Sequence, residues 1–280
     1  MILSGRAKLA GVMGWPVGHS RSPRLHGYWL QRYGIDGTYV PLEVPPAHFA
    51  QALRMLALMG FRGVNVTVPH KEAALAAVDT LDSTARRIGA VNTVMMETDG
   101  TLHGTNTDAI GFLEHLKASA PGWKPDAGPA VVIGAGGAAR AVVVALQDAG
   151  VREIRLVNRT RERAEQLAMA LNSGIGVLSW VARNSALANA ALVVNTTTLG
   201  MSGQPALEID LGVLPAAASV FDCVYSPLET ALLAQARARG LVAIDGLGML
   251  IHQARAGFTA WFGVEPELDG GLRRFLAEGL

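Results

Sequence analysis

Pro129-Ala130-Val131-Val132-Ile133-Gly134-Ala135-Gly136-Gly137-Ala138-Ala139-Arg140-Ala141-Val142-Val143-Val144-Ala145-Leu146 is the stretch on which the fold turns. Residues 129–133 form an unbroken apolar run, as expected of a strand covered on both faces. Residues 140–146 read as a helix, and between them lies G-x-G-x-x-A. In that strand–turn–helix setting the pattern is the fingerprint of a dinucleotide site. Gly134 permits the tight turn, Gly136 lets the backbone approach a pyrophosphate, and Ala139 keeps the helix close to the strand. Free N–H groups at the helix start point at the phosphates, so cofactor contacts are expected from Gly134, Ala135, Gly136, Gly137 and Ala138. A glycine-rich turn without a ligand shows the same local pattern. The second strand expected at 153–157 favours the cofactor.

The end of that second strand selects the cofactor. A carboxylate there binds the ribose 2′-hydroxyl of NAD. Here Asn158, Arg159, Thr160 and Arg161 follow, with Arg163 shortly after, and no acid stands among residues 157–161. Guanidinium groups bind a 2′-phosphate by charge-assisted hydrogen bonds, whereas positive charge at a helix start opposes the dipole. NADP(H) is expected.

Outward from this core, strand and helix alternate through the chain. Strands are expected at 8–14, 37–42, 63–67, 91–96, 130–133, 153–157, 192–195, 220–223 and 241–244. Val64, Val66 and Val68 alternate with Asn65 and Thr67, the period of a half-buried strand, and Phe49, Leu53, Leu56 and Ala57 make a helical stripe. Such alternation argues for parallel sheets covered on both faces. Residues 118–129 hold three prolines and two glycines and read as a linker, which places a domain boundary near 110–128.

The composition agrees. A chain of 280 residues that is 50% hydrophobic and 17% charged supports two cores and excludes general disorder. A net charge of +1 gives no reason to expect nucleic acid or a membrane surface. The single cysteine, Cys223, excludes an internal disulfide and reads as a small buried hydrophobe. With no signal-peptide pattern and no long apolar run, a cytoplasmic protein is expected.

The first half carries polar clusters at expected strand ends: Gly14-Trp15-Pro16-Val17-Gly18-His19-Ser20-Arg21-Ser22-Pro23, Asn65-Val66-Thr67-Val68-Pro69-His70-Lys71, Gly89-Ala90-Val91-Asn92-Thr93 and Gly104-Thr105-Asn106-Thr107-Asp108. Each has an ordinary reading. Ser20 or Ser22 would cap a helix from Pro23, Asp108 one from Ala109, and Lys71 would be solvated. Together they offer hydroxyls, amides, an ammonium and a carboxylate where open α/β sheets bind ligands. That set suits a small acid bearing several hydroxyls.

The runs 14–26, 65–71, 89–93 and 104–111, with 195–201, 222–227, Thr230 and 246–253, resemble the shikimate dehydrogenase family over nearly the whole chain. The resemblance implies an α/β fold of two domains with a cleft between them. A substrate domain with a mixed, mostly parallel sheet would take 1–110 plus 247–280, and a Rossmann-type NADP-binding domain 111–246. It implies NADP(H)-dependent reduction of 3-dehydroshikimate to shikimate in aromatic amino acid and chorismate biosynthesis, by a monomer or homodimer. Lys71 and Asp108 match the catalytic pair. Ser20, Ser22 and Tyr225 would take the substrate carboxylate; Asn65, Thr67, Asn92 and Gln253 would take ring hydroxyls. Asn158, Arg159, Thr160 and Arg163 match the adenosine-phosphate site, and Thr196, Gly246 and Met249 are further cofactor contacts. Leu250, Ala254, Phe258 and Trp261 would pack the last helices on the N-terminal half. Gly27, where the family usually has Asn, and the threonines of 196–198 with Leu199 depart from the pattern. The alternatives are a quinate/shikimate dehydrogenase of broader specificity and a non-catalytic NADP-binding sensor, which would need neither Lys71 nor Asp108.

Overall fold

The computed structural model describes residues 2–171 and 174–280. They divide into two compact units. The first runs to Asp108 and resumes over Leu250–Glu278; the second comprises Ala109–Met249 and the last two residues.

The first unit holds strands β1 (Lys8–Gly14), β2 (Gly37–Glu43), β3 (Phe61–Val66), β4 (Thr80–Leu81), β5 (Thr93–Met96) and β6 (Leu102–Thr105), with helices α1 (Ser22–Arg32), α2 (Phe49–Leu58), α3 (Lys71–Ala77) and α4 (Ser83–Ile88). Helix α5 (Asp108–Ser119) begins at the end of this unit. The second unit holds β7 (Ala130–Ile133), β8 (Ile154–Val157), β9 (Ile175–Leu178), β10 (Leu192–Asn195), β11 (Ser219–Asp222) and β12 (Val242–Ile244), with α6 (Gly137–Asp148), α7 (Arg161–Leu171) and α8 (Ala231–Ala238). Helix α9 (Leu247–Phe262) and α10 (Gly270–Ala277) complete the chain.

The second sheet has the order β12-β11-β10-β7-β8-β9 and every pair is parallel. This is the doubly wound dinucleotide fold, and its strand order reverses between β7 and β10. Val131, Ile133, Val193 and Val220 are fully buried in its core, as the unbroken apolar runs require.

The first sheet, β2-β1-β3-β5-β6-β4, is mixed. Strands β5 and β6 form an antiparallel hairpin, and β5 also runs antiparallel to β3. The alternation of strand and helix points to parallel pairing alone and so misses this hairpin. Its turn is Asp99-Gly100, where Gly100 adopts φ +87° and donates its N–H to Glu97 O at 3.0 Å. Met13, Phe49, Leu53, Val64 and Val66 fill the core on one face. From α9, Ala254, Phe258 and Trp261 are buried, while Leu250 is only half-buried. Phe258 meets Trp29 with ring centroids 5.1 Å apart, and burying such a ring contributes about 2–3 kcal/mol.

Residues 118–129 do not form the junction between units. Phe112 of α5 already packs on Phe221, 4.9 Å between centroids, and Leu116 is fully buried. The chain therefore joins the second core before the prolines and glycines arrive.

Candidate active site

The sheet order brings the first unit's polar clusters to one edge. Strands β1, β3 and β6 end there and the antiparallel β5 starts there, so the segments after Gly14, Val66 and Thr105 and the one before Thr93 converge.

Lys71 is the first residue of α3 and Asp108 the first of α5. Lys71 Nζ stands 2.5 Å from Asp108 Oδ2, with the side chains 16% and 6% exposed. Lys71 is thus held in a largely buried ion pair and is not a solvated surface lysine. Asp108 does not serve as a cap: its own N–H goes to Asn106 Oδ1 at 3.0 Å, and its carboxylate meets Lys71 and Asn92.

Asn92 is the hub of the cluster. Its Oδ1 accepts from the Thr107 N–H at 2.8 Å, and its Nδ2 donates to Thr107 Oγ1 and to Asp108 Oδ1, both at 2.9 Å. Gln253, from α9, lies in the same network, with Oε1 3.2 Å from Thr107 Oγ1. Asn65 is more fully committed than the sequence suggests. Its Nδ2 serves Asn92 O and Thr93 Oγ1, and its Oδ1 accepts from the Tyr39 hydroxyl. What Asn65 retains for a ligand is an acceptor lone pair. Thr67 is half-exposed beyond β3.

Neither Ser20 nor Ser22 caps α1. The N-cap position is Arg21, without a side-chain cap bond, and Ser20 Oγ instead accepts from the Ser22 N–H at 3.3 Å. Sequence reasoning did not single out Thr107, Thr93 or Tyr39. Thr93 was available from register alone, because it pairs directly with Asn65 across β3 and β5.

In the second unit, Gly134 has φ +115° and a Cβ there would stand 2.4 Å from Thr196 Oγ1. The residue is therefore demanded twice, by its backbone conformation and by the close approach of the loop after β10. Thr196 donates its hydroxyl to Ile133 O at 2.7 Å, which sets it beside the turn at the point where the strand order reverses. Gly136 is the N-cap of α6 with no side-chain cap bond, and the space a Cβ would fill is open. Gly137 and Ala138 open the helix behind it, with Ala135 buried before it. A helix start without a side-chain cap, with open space beside Gly136, fits a pyrophosphate.

At the end of β8, Asn158 Nδ2 donates to Thr160 O at 2.7 Å. Arg159, Thr160 and Arg163 are exposed. Arg161 is paired with Glu165 at 2.8 Å, whereas Arg159 has no ion-pair partner among the described residues. These residues fit a 2′-phosphate.

The ends of β10 and β11 are joined by a buried carboxyl. Asp222 accepts from Asn195 Nδ2 at 2.9 Å, Val224 N at 3.0 Å and Thr230 Oγ1 at 2.7 Å. Burial pushes its pKa up to about 6, against the opposing effect of these donors. Asn195 Oδ1 in turn accepts from Thr197 N and Oγ1. The segments carrying Thr196 and Tyr225 therefore share one anchor, and Tyr225 itself is half-buried. Gly246 N–H reaches Val224 O at 3.1 Å. Met249 Sδ lies 3.9 Å from Cys223 Sγ, and Cys223 is half-buried and not fully enclosed.

Family models match three stretches of the chain: the shikimate dehydrogenase substrate binding domain over residues 12–94, shikimate / quinate 5-dehydrogenase over 124–202, and the shikimate 5′-dehydrogenase C-terminal domain over 246–270. The shikimate dehydrogenase (NADP(+)) of Paramagnetospirillum magneticum is 60% identical over 98% of this chain and 99% of its own length. That of Rhodospirillum rubrum is 58% identical over 97% and 98%. Among solved structures, shikimate 5-dehydrogenase of Thermus thermophilus in complex with NADP(H) and shikimate aligns with a TM-score of 0.85 and 39% identity, over 98% of this chain and 100% of that one. On sequence, fold and the arrangement of both polar sites, the chain belongs to the shikimate dehydrogenase family.

Proposed function

We propose that this chain reduces 3-dehydroshikimate reversibly to shikimate with NADP(H), and that Lys71 and Asp108 manage the proton. The observation that carries the reading is the Lys71–Asp108 pair at 2.5 Å, set among the amides and hydroxyls of Asn92, Thr107 and Gln253. NADPH, when bound, supplies the hydride. The chain's own residues do the rest. As the ring carbonyl carbon accepts hydride, its oxygen gains negative charge, and the Lys71 ammonium stabilises and protonates it. One N–H of Lys71 is held by Asp108, which aims the others. In the reverse direction the pair receives the proton of the shikimate hydroxyl. The hydroxyls of Ser20 and Ser22 are donors for the ring carboxylate, and Gln253 and Thr67 select the hydroxyl pattern. Asn158, Arg159, Thr160 and Arg163 favour NADP(H) over NAD(H).

Shikimate-dependent formation of reduced cofactor, followed by absorbance, tests the reading. Lys71→Ala should lower kcat by about 10²-fold or more, the scale for a positioned acid; a near-normal kcat removes Lys71 from the chemistry. Running quinate and NAD in parallel separates the broader-specificity alternative, and a chain that binds NADP without turnover of either acid would be the sensor.

A further inference from the structure

The phenol of Tyr39 is buried behind the site, its ring stacked on His26 at 3.9 Å with 6° between planes. Its hydroxyl begins a hydrogen-bond chain whose direction is fixed at each link. Asn65 Nδ2 faces the backbone carbonyl of Asn92 at 3.2 Å, so that end of the amide is the nitrogen and the other the oxygen. Tyr39 is therefore the donor to Asn65 Oδ1, at 2.6 Å. Asn65 Nδ2 also donates to Thr93 Oγ1 at 3.0 Å, which leaves the Thr93 hydrogen for Asn92 Oδ1, again at 3.0 Å. That atom of Asn92 is the oxygen because the Thr107 N–H reaches it at 2.8 Å. Asn92 Nδ2 then donates to Asp108 Oδ1 at 2.9 Å, and Lys71 occupies Oδ2.

Four hydrogen bonds thus run head to tail from Tyr39 to the Asp108 carboxylate, every donor pointing toward it. We infer that Tyr39 is a positioning residue for the reaction, acting through Asn65, Thr93 and Asn92 to hold Asp108 as an acceptor turned toward Lys71. The inference rests on the assignment of Lys71 and Asp108 as the proton-handling pair. Bonds aligned in one direction polarise one another, so removal of the first donor is felt at the last acceptor. Tyr39 also packs, and that role needs only its ring.

The test separates the two roles. Tyr39→Phe keeps the ring and deletes the hydroxyl, and kcat for shikimate oxidation should fall about three- to tenfold, the span of one buried hydrogen bond, with KM for shikimate close to wild type. Thr93→Val, which breaks a later link, should reproduce the loss, and Thr93→Ser, which keeps the hydroxyl, should restore the rate. In an Asp108→Asn background, assayed at high enzyme concentration for its residual rate, Tyr39→Phe should add nothing. Thermal melts show whether each variant folds. Wild-type kcat in Tyr39→Phe, or a loss that persists in full on top of Asp108→Asn, overturns the inference while leaving the pair in place. Full activity of Asp108→Asn alone removes the pair itself, and the inference with it.

Discussion

Mild acid should act on the two units in opposite directions. In the first unit, the fully buried His26 ring has no hydrogen-bond partner of normal geometry on either nitrogen among the described residues. Burial lowers its pKa from 6.5 to about 3, outweighing the smaller opposing effect of the neighbouring Asn65 side chain. Between those values the unfolded chain takes up a proton that the folded unit refuses, so stability is lost as pH falls. The slope is about 1.4 kcal/mol per pH unit. His70, also lowered by burial, adds to the same trend. In the second unit, Asp222 is raised by burial from 3.8 to about 6, so the folded unit keeps a proton that the unfolded chain releases. Its contribution to stability grows as pH falls through that window, by about the same slope. From pH 6.5 to 4.5 the first unit should lose roughly 2 kcal/mol through His26 and the second gain roughly 2 kcal/mol through Asp222. The exposed carboxyls of Asp36, Asp79 and Asp99, held below their ordinary value by hydrogen bonds and, for Asp79, by Arg54, act only at lower pH. Amide hydrogen exchange at the two pH values, corrected for intrinsic rates, would follow β1 and β7 separately. His26→Phe, which preserves an aromatic ring on Tyr39, should flatten the response of β1, and Asp222→Asn that of β7. Equal shifts in both strands, or a β1 response untouched by His26→Phe, would refute the reasoning.

Three further outcomes are expected. Arg159→Ala should raise KM for NADP by about tenfold or more, the worth of a charge-assisted hydrogen bond, and leave KM for NAD near its wild-type value in steady-state assays. Gly27→Ala should raise stability by about 0.5–1 kcal/mol in urea titrations, because Gly27 sits mid-helix on the exposed side of α1 with open space at its Cβ position. Gly134→Ala should cost about 1–3 kcal/mol of stability through backbone strain, with the new methyl driven against Thr196; weakened NADP binding by fluorescence titration should accompany the lower melting temperature.

The second unit was the more legible half. Runs such as Val131-Val132-Ile133 and Leu192-Val193-Val194 announce themselves because a parallel sheet buries both strand faces. The first unit mixes strand directions, and its β4 and β6, like β9 of the second unit, carry no clear strand pattern in the sequence. Strand β4 has only two residues, β6 carries a glycine and a histidine, and β9 is only partly buried. The Asp99-Gly100 pair is the one local signal of the β5–β6 hairpin. At the site, Lys71 and Asp108 stood out by type and position, whereas the partners of each amide did not. Which atom of Asn65 or Asn92 faces a ligand depends on cross-strand neighbours such as Thr93 and on Tyr39, which lies on a different strand from both. Chemical type is local, but hydrogen-bond direction is a property of the assembled sheet.

The seat of Trp261 has a consequence for synthesis on the ribosome. Its indole lies so close over Gly63 that a Cβ there would stand 2.1 Å from Nε1, and its N–H reaches Val94 O at 3.2 Å. The strands it covers emerge early, yet the covering helix is translated only after nearly all of the second unit. The nascent chain therefore carries Trp29 and the Val94 carbonyl without their α9 partners while residues 109–246 are being made. Completion of the first core waits for the end of translation, and a polypeptide that stops before Leu250 lacks the Phe258 and Trp261 rings that cover Trp29 and Gly63.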